Sequence, residues 1–240
     1  VSIVSRYNFA PTPKAKENLL NEGRDAESIY VTGNTAIDAL QTTVRDDFTH
    51  PELEWAKDSR LILITAHRRE NLGEPMHQMF RAIRRVLEEH PDVKALYPIH
   101  MNPIVRAAAE EELGGCERIH IIEPLEVLDC HNIMARSYMI LTDSGGIQEE
   151  APALGKPVLV LRDTTERPEA VDAGTVKLIG TDYEDVLCET NLLLDDSAHY
   201  KKMAEAANPY GDGKACERII RAILQKNGFN VKILSEFCSN

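Results

Sequence analysis

"YMILTDSGGIQEEAPALG", residues 138–155, holds the transition that decides the fold. Residues 138–142 form a continuous apolar run rather than an alternating one, the pattern of a strand buried on both faces. The run ends in Asp143-Ser144-Gly145-Gly146, and from Ile147 the spacing is helical up to Gly155. A buried strand that turns through two glycines into a helix is one unit of a parallel sheet wrapped by helices. Ser144 is a good N-cap, and Glu149 and Glu150 fall in the first turns, where the helix dipole favours carboxylates. Those features account for everything except the second glycine. Glycines let another group approach the backbone, and N–H groups at a helix start attract an anion. A capped helix and a phosphate site both fit this turn. In the second case a carboxylate one turn below the phosphate could accept hydrogen bonds from ribose hydroxyls.

The same unit recurs on either side. "LILIT" (61–65), "IHII" (119–122) and "PVLVL" (157–161) are further continuous apolar runs, and "YPIHMNP" follows another strand. Met76, Met79, Phe80, Ile83, Val86 and Leu87 make one helical stripe. Asn102-Pro103 opens a helix that Gly114-Gly115 ends, and Thr12-Pro13 opens one that Gly23 closes. The expected fold is α/β: a Rossmann-like, doubly wound parallel sheet of about six or seven strands with helices on both faces. Residues 1–33 read as the tail of a preceding domain, ending in "SIYVTG". Residues 34–207 read as a compact domain opened by "GNTAIDAL", and 208–240 as a turn-rich break with a last helix from about Asp212 to Lys226.

The chain has 240 residues, 43% of them hydrophobic, enough for a sizeable core. It begins Val1-Ser2-Ile3-Val4 in an apolar run without Met, which points to a piece of a longer protein. No leader is recognised, and no run of about 18 apolar residues predicts a membrane span. A net charge of −12, from 39 acids against 27 bases, argues against a general nucleic-acid binder but not against a small anion held by local cations. The five cysteines are scattered without a CxxC pair, as expected of free thiols in a reducing cytoplasm.

In open parallel sheets ligands sit beyond the carboxyl ends of the strands, and three polar motifs fall there. One is the glycine turn. In "TAHRRENLG", His67, Arg68 and Arg69 follow "LILIT". Two cations near a helix N-terminus are electrostatically misplaced and call for Glu70, Glu74 or an anionic ligand. His67 suits proton donation or phosphate contact. In "RDTTERPEA", after "PVLVL", Arg167 can clamp an oxyanion and the threonines can add hydrogen bonds, with Pro168 opening a short helix. A crevice formed by loops 65–73, 142–147 and 162–168 is expected. The latter two motifs also read as solvated loops, and His100 as a loop histidine before a cap. His50, His77, His90, His120, His131 and His199 show no clustered partners, and no HExxH or Cys/His spacing argues for a metal. No GxGxxG follows a strand and there is no GxxxxGK[ST], so no cofactor is expected.

Together these segments resemble the non-hydrolysing UDP-N-acetylglucosamine 2-epimerases. The resemblance runs through "FAPTPKAKENLL", "VTGNTAIDAL", "ITAHRREN", "YPIHMNP", "LTDSGGIQEEAPALGKPVLVLRDTTERPEAV", "AGTVKLIGTD" and "NPYGDGKA", nearly the whole chain. It implies the C-terminal domain of a GT-B-like two-domain enzyme that interconverts UDP-GlcNAc and UDP-ManNAc, by eliminating and re-adding UDP with proton exchange at C2. It also implies a cytoplasmic homodimer serving cell-envelope polysaccharide synthesis, with no metal, nicotinamide, nucleic acid or membrane. By the same resemblance Ser144, Gly145 and Gly146 hold the diphosphate, Glu150 binds ribose and Arg167 helps hold the nucleotide. His67 matches the catalytic-region histidine near the departing UDP. Arg68, Glu70 and His100 match positions of a regulatory UDP-GlcNAc site. Two departures stand out. Cys130 in "EPLEVLDCHN" lies where an aromatic commonly sits near uracil. The family's N-terminal domain, with the carboxylates expected at C2, is absent apart from its last segment, so the chain alone is expected to be inactive. The other readings are a GT-B glycosyltransferase domain and a non-catalytic nucleotide-sugar binding module.

Overall fold

The computed structural model describes residues 4–238, so residues 1–3 of the apolar start lie outside it. The chain divides into two compact units, residues 1–43 with 207–240, and residues 44–206. The first holds β1 (Asn8–Ala10), α1 (Pro13–Asn21), β2 (Ile29–Val31) and α2 (Thr35–Thr43). The second begins with α3 (Pro51–Trp55), β3 (Arg60–Thr65), α4 (Glu74–Glu89), β4 (Val93–Pro98), α5 (Pro103–Leu113) and β5 (Ile119–Ile122). It continues with α6 (Val127–Arg136), β6 (Met139–Thr142), α7 (Ile147–Ala153), β7 (Val158–Val160), α8 (Pro168–Asp172) and β8 (Val176–Leu178). α9 (Tyr183–Asp195) and α10 (Ser197–Ala204) complete it, and α11 (Ala215–Lys226) belongs to the first unit.

In the smaller unit β1 and β2 pair in parallel, Phe9 opposite Tyr30. Thr12 caps the connecting α1, its hydroxyl accepting from the Ala15 N–H at 3.0 Å, and Pro13 opens it. The sequence reading assigns "GNTAIDAL" to the 34–207 domain, but α2 packs on α11. The physical reason is a cap. α11 has no capping side chain of its own, and Asp38 on α2 accepts from the N–H groups of Ala215 (3.0 Å) and Cys216 (2.7 Å). α11 also starts later than the expected Asp212, because Asp212 is turned back in a two-pronged pair with Arg218.

The larger unit is built on a six-stranded sheet in the order β5-β4-β3-β6-β7-β8, every neighbouring pair parallel. The chain runs outward from β3 to β5, returns beside β3 as β6, and runs outward the other way. β3 and β6 are therefore the pair at which the strand order reverses, where an open parallel sheet leaves a crevice at its carboxyl edge. Their register sets Thr65 opposite Thr142. All four residues of β6 are buried, as are Leu61–Ile64 in β3, which is why both read as unbroken apolar runs. The expected stripe on α4 is buried, and α4 packs on α5 and α9. β8 escapes the apolar-run criterion because it is an edge strand. Val176 is buried, but Lys177 reaches out to Glu189 at 2.6 Å. Among the described residues no helix is long and apolar enough to cross a membrane.

Candidate functional site

The crevice is set up by the ends of β3 and β6. The Thr65 and Thr142 hydroxyls lie 2.6 Å apart, and Thr142 Oγ1 accepts from the Ser144 N–H at 2.9 Å. The Asp143 N–H continues the ladder to Thr65 O at 3.0 Å. One residue beyond that rung, the Asp143 carboxylate is fully buried and turns onto the loop after β3. Its Oδ2 accepts from the backbone N–H of His67 (2.6 Å) and Arg68 (2.7 Å). Its Oδ1 faces His67 Nδ1 at 3.0 Å, ion-pair distance without the alignment of a good hydrogen bond. The His67 pKa is raised, by Asp143 first, against burial and the charge of Arg68. The His100 ring, beyond β4, stacks on that of His67 with centroids 5.2 Å apart.

The glycine turn lies beside this pair. Ser144 does not cap the helix as the sequence suggests. Gly146 occupies the N-cap position and no side chain caps α7, while the Ser144 carbonyl accepts from Gln148 Nε2. The N-cap position of α7 thus carries no side-chain hydrogen bond. Loop 162–168 closes over it. A Cβ on Gly145 would come within 3.1 Å of Glu166 Oε1 and about 4.0 Å of Arg167 Nη2. Glu166 accepts from Arg68 (3.1 Å) and from Arg162 (2.6 Å), and Arg162, mainly, holds its carboxyl down to about 2. Arg162 also reaches Glu70 at 2.8 Å. Arg167 pairs with the buried Glu149, and Thr165 bonds Gln148 at 2.7 Å, tying the loop to α7.

Of the compensations expected for Arg68 and Arg69, by Glu70, Glu74 or an anionic ligand, neither acid pairs with Arg68, and a crossed pattern is found instead. Arg68 finds Glu166, Glu70 finds Arg162, and Glu74 finds Arg81. Glu150 faces α6 instead of the turn. Its carboxylate lies 3.6 Å from His131 Nε2, and its charge, after burial, pushes the Cys130 thiol up to about 11. Burial, then Glu149, raises the Glu150 pKa itself. The positions matched to uracil and ribose are therefore neighbours. The structure gathers His67, Arg68, Glu70, His100, Ser144, Gly145, Gly146 and Arg167 at one end of the sheet, with Glu150 one turn further along α7.

Asp143, Gln148, Arg162 and Glu166 are site residues to which sequence reasoning gave no role, and Glu149 it read only as complementing the helix dipole. The available signal was the acid at the end of a buried strand, one residue past the position that pairs with the end of β3. Several histidines without clustered partners in the sequence have them in space. His131 meets Glu150, and His120 stacks on Trp55 and bonds Glu52 at 2.6 Å. His77 lies among Glu111 and Glu112, with ligand atoms within 4.8 Å of one another. Arg81 already stands 3.6 Å from the same Glu112 carboxylate, so that cluster carries its own cation. A cavity of about 480 Å³ lined by Phe48, His50, Leu53 and Arg136 lies where α6 ends, at the other edge of the sheet. Arg136 there is engaged by the carbonyls of Arg45, Asp46 and Asn132. We take the crevice as the candidate site, because the polar groups converge there.

A family model described as UDP-N-acetylglucosamine 2-epimerase matches residues 1–224. The UDP-N-acetylglucosamine 2-epimerase of Bacillus subtilis is 59% identical over 226 residues, 94% of this chain and 60% of its own length. A solved structure described as an S. aureus MnaA–UDP co-structure is 50% identical with a TM-score of 0.95, over 99% of this chain and 65% of that one. A crystal structure of UDP-GlcNAc 2-epimerase from Neisseria meningitidis bound to UDP-GlcNAc is 43% identical with a TM-score of 0.85, over 93% and 62% of the two chains. The chain thus spans about 60% of the length of the curated relatives it matches.

Proposed function

The chain belongs to the UDP-N-acetylglucosamine 2-epimerase family, and from that membership we propose that it is the UDP-binding part of an enzyme interconverting UDP-N-acetylglucosamine and UDP-N-acetylmannosamine. The observation that carries the reading is the convergence at the β3/β6 reversal. An uncapped glycine turn is ringed there by Arg68, Arg162, Arg167 and His67, four groups suited to a diphosphate. In this reading Ser144, Gly145 and Gly146 hold the diphosphate, Arg167 exchanges Glu149 for it, and Glu150 accepts from ribose. UDP leaves when a base takes the C2 proton. The C2–H electron pair becomes the C1–C2 double bond, and the C1–O pair stays on the diphosphate. His67 lies where that charge appears. Re-addition with the proton delivered to the other face gives the epimer.

Positioned acids and bases each contribute about 10²–10⁴ in rate. The family's pair at C2 matches no residue here, so this chain binds but does not turn over. Arg68, Glu70 and His100 match a second, regulatory nucleotide-sugar site, and their closeness to His67 supports coupling between the two. The test is calorimetric titration of UDP. Arg167→Ala is expected to weaken binding by about 1.5–3 kcal/mol, the scale of a charged hydrogen bond. An unchanged affinity removes Arg167 from the site.

A further inference from the structure

We propose that Asp143 is the positioning residue of His67: its buried carboxylate turns the imidazole so that Nδ1 faces inward and Nε2 is presented to the departing diphosphate. The ligand in this statement rests on the function proposed above; the pairing rests on geometry alone. Asp143 is 0% exposed at the end of β6. A carboxylate taken wholly out of water is costly unless hydrogen-bonded and paired. Here one oxygen takes the backbone N–H of His67 and Arg68, at 2.6 and 2.7 Å, and the other stands 3.0 Å from His67 Nδ1. One side chain therefore fixes both the main chain and the ring of the same residue. Its burial leaves it no water to turn to instead.

The other groups that face the ring do not compete for this role. Arg68, on the same loop, opposes protonation of His67, but its guanidinium is drawn off to Asp143 O (3.1 Å) and Glu166. His100, beyond β4, stacks on the ring, and its Nδ1 is taken up by the Asn102 N–H at 3.1 Å. Tyr97, on β4, donates its hydroxyl to Ala66 O at 2.5 Å, and burial keeps it un-ionised. With Nδ1–H held towards Asp143, the proton that His67 gains or loses is the one on Nε2, in a side chain that remains 40% exposed.

The experiment is long-range proton–nitrogen NMR of the imidazoles in the ¹⁵N-labelled 240-residue chain, with His67→Gln for assignment. In the wild type the His67 midpoint is expected above about 6.5, and the neutral form is expected to carry its proton on Nδ1. Asp143→Asn is expected to lower the midpoint and abolish the tautomer preference. A wild-type midpoint at or below 6.5, or a neutral ring protonated on Nε2, overturns the proposal. Both readings come from the wild type, so they stand whether or not the Asn variant folds. UDP added to the wild type is expected to move the Nε2 signal. A chain that binds UDP without moving it overturns the presentation of Nε2. A chain that binds no UDP yet shows the expected tautomer overturns the nucleotide reading and supports the Asp143–His67 pairing.

Discussion

In the function proposed above, Glu166 stands in the space that an incoming diphosphate would need. Its carboxylate holds Arg68 and Arg162 beside Gly145, and the proposed diphosphate would compete for the same arginines. Glu166→Gln is expected to tighten UDP binding. The gain is up to about 1 kcal/mol, because the side chain is 45% exposed and such pairs are screened. Weaker binding in calorimetry would instead show that Glu166 holds the arginines in place for the ligand. The same carboxyl gives a signed pH dependence. Its folded value, about 2, lies below its ordinary 4.5. Its stabilising contribution is therefore complete above about 4.5 and is lost as pH falls through about 2. The difference in urea midpoint between wild type and Glu166→Gln is expected to shrink over that window. A difference that grows on acidification rejects the pairing. The pairing of Glu166 with Arg68 was not legible in the sequence, whereas Arg162 lies four residues away in the same loop. Arg68 and Glu166 are 98 residues apart, and the nearest acids along the chain, Glu70 and Glu74, are paired elsewhere.

At the scale of elements, the strand–turn–helix from β6 to α7 separates stability from binding. Gly145 does not lie at a positive φ, so an alanine there is not strained at the backbone, and its Cβ meets the far ends of two flexible side chains, Glu166 at 3.1 Å, which must give slightly, and Arg167 at about 4.0 Å. Gly145→Ala is expected to leave folding stability within about 1 kcal/mol. It is expected to weaken UDP binding by about 1–3 kcal/mol by holding the phosphate off the backbone. Urea denaturation and calorimetry check the two halves, and equal losses in both would make the glycine a folding requirement only. Most elements were legible here because burial on both faces writes a central parallel strand as one apolar run, and burial on one face writes α4 as a stripe. β8 and the N-cap of α7 were not legible. The first is an edge strand half in water, and the second depends on which backbone group Ser144 meets.

At the scale of the whole molecule, binding and turnover are expected to come apart. The chain spans about 60% of the length of its curated relatives, and the acid and base at C2 are proposed to lie outside it. We expect the 240-residue chain to bind UDP and to show no epimerase activity. Proton NMR of UDP-GlcNAc in deuterated water, following exchange at C2 and the ManNAc anomeric signal, is the measurement. Robust C2 exchange by this chain alone would place an acid and a base among its own residues.

The sequence by itself determined the parallel α/β class, the strand–turn–helix at residues 138–155 and the loops that reach the crevice. These follow from local patterns, because periodicity records burial and glycines record close backbone approach. Its motifs also carried the family resemblance along nearly the whole chain. Only the tertiary structure decided that β6 returns beside β3, since strand order depends on how the crossovers pack and leaves no local mark. That return sets Asp143 under His67, Glu166 over Gly145 and Glu150 against Cys130 and His131. It also decided that Asp38 caps α11 across 177 residues of chain, which moves α2 out of the unit that its position in the sequence suggests. Pairings of this kind are fixed by desolvation and charge in three dimensions, and spacing along the chain does not encode them.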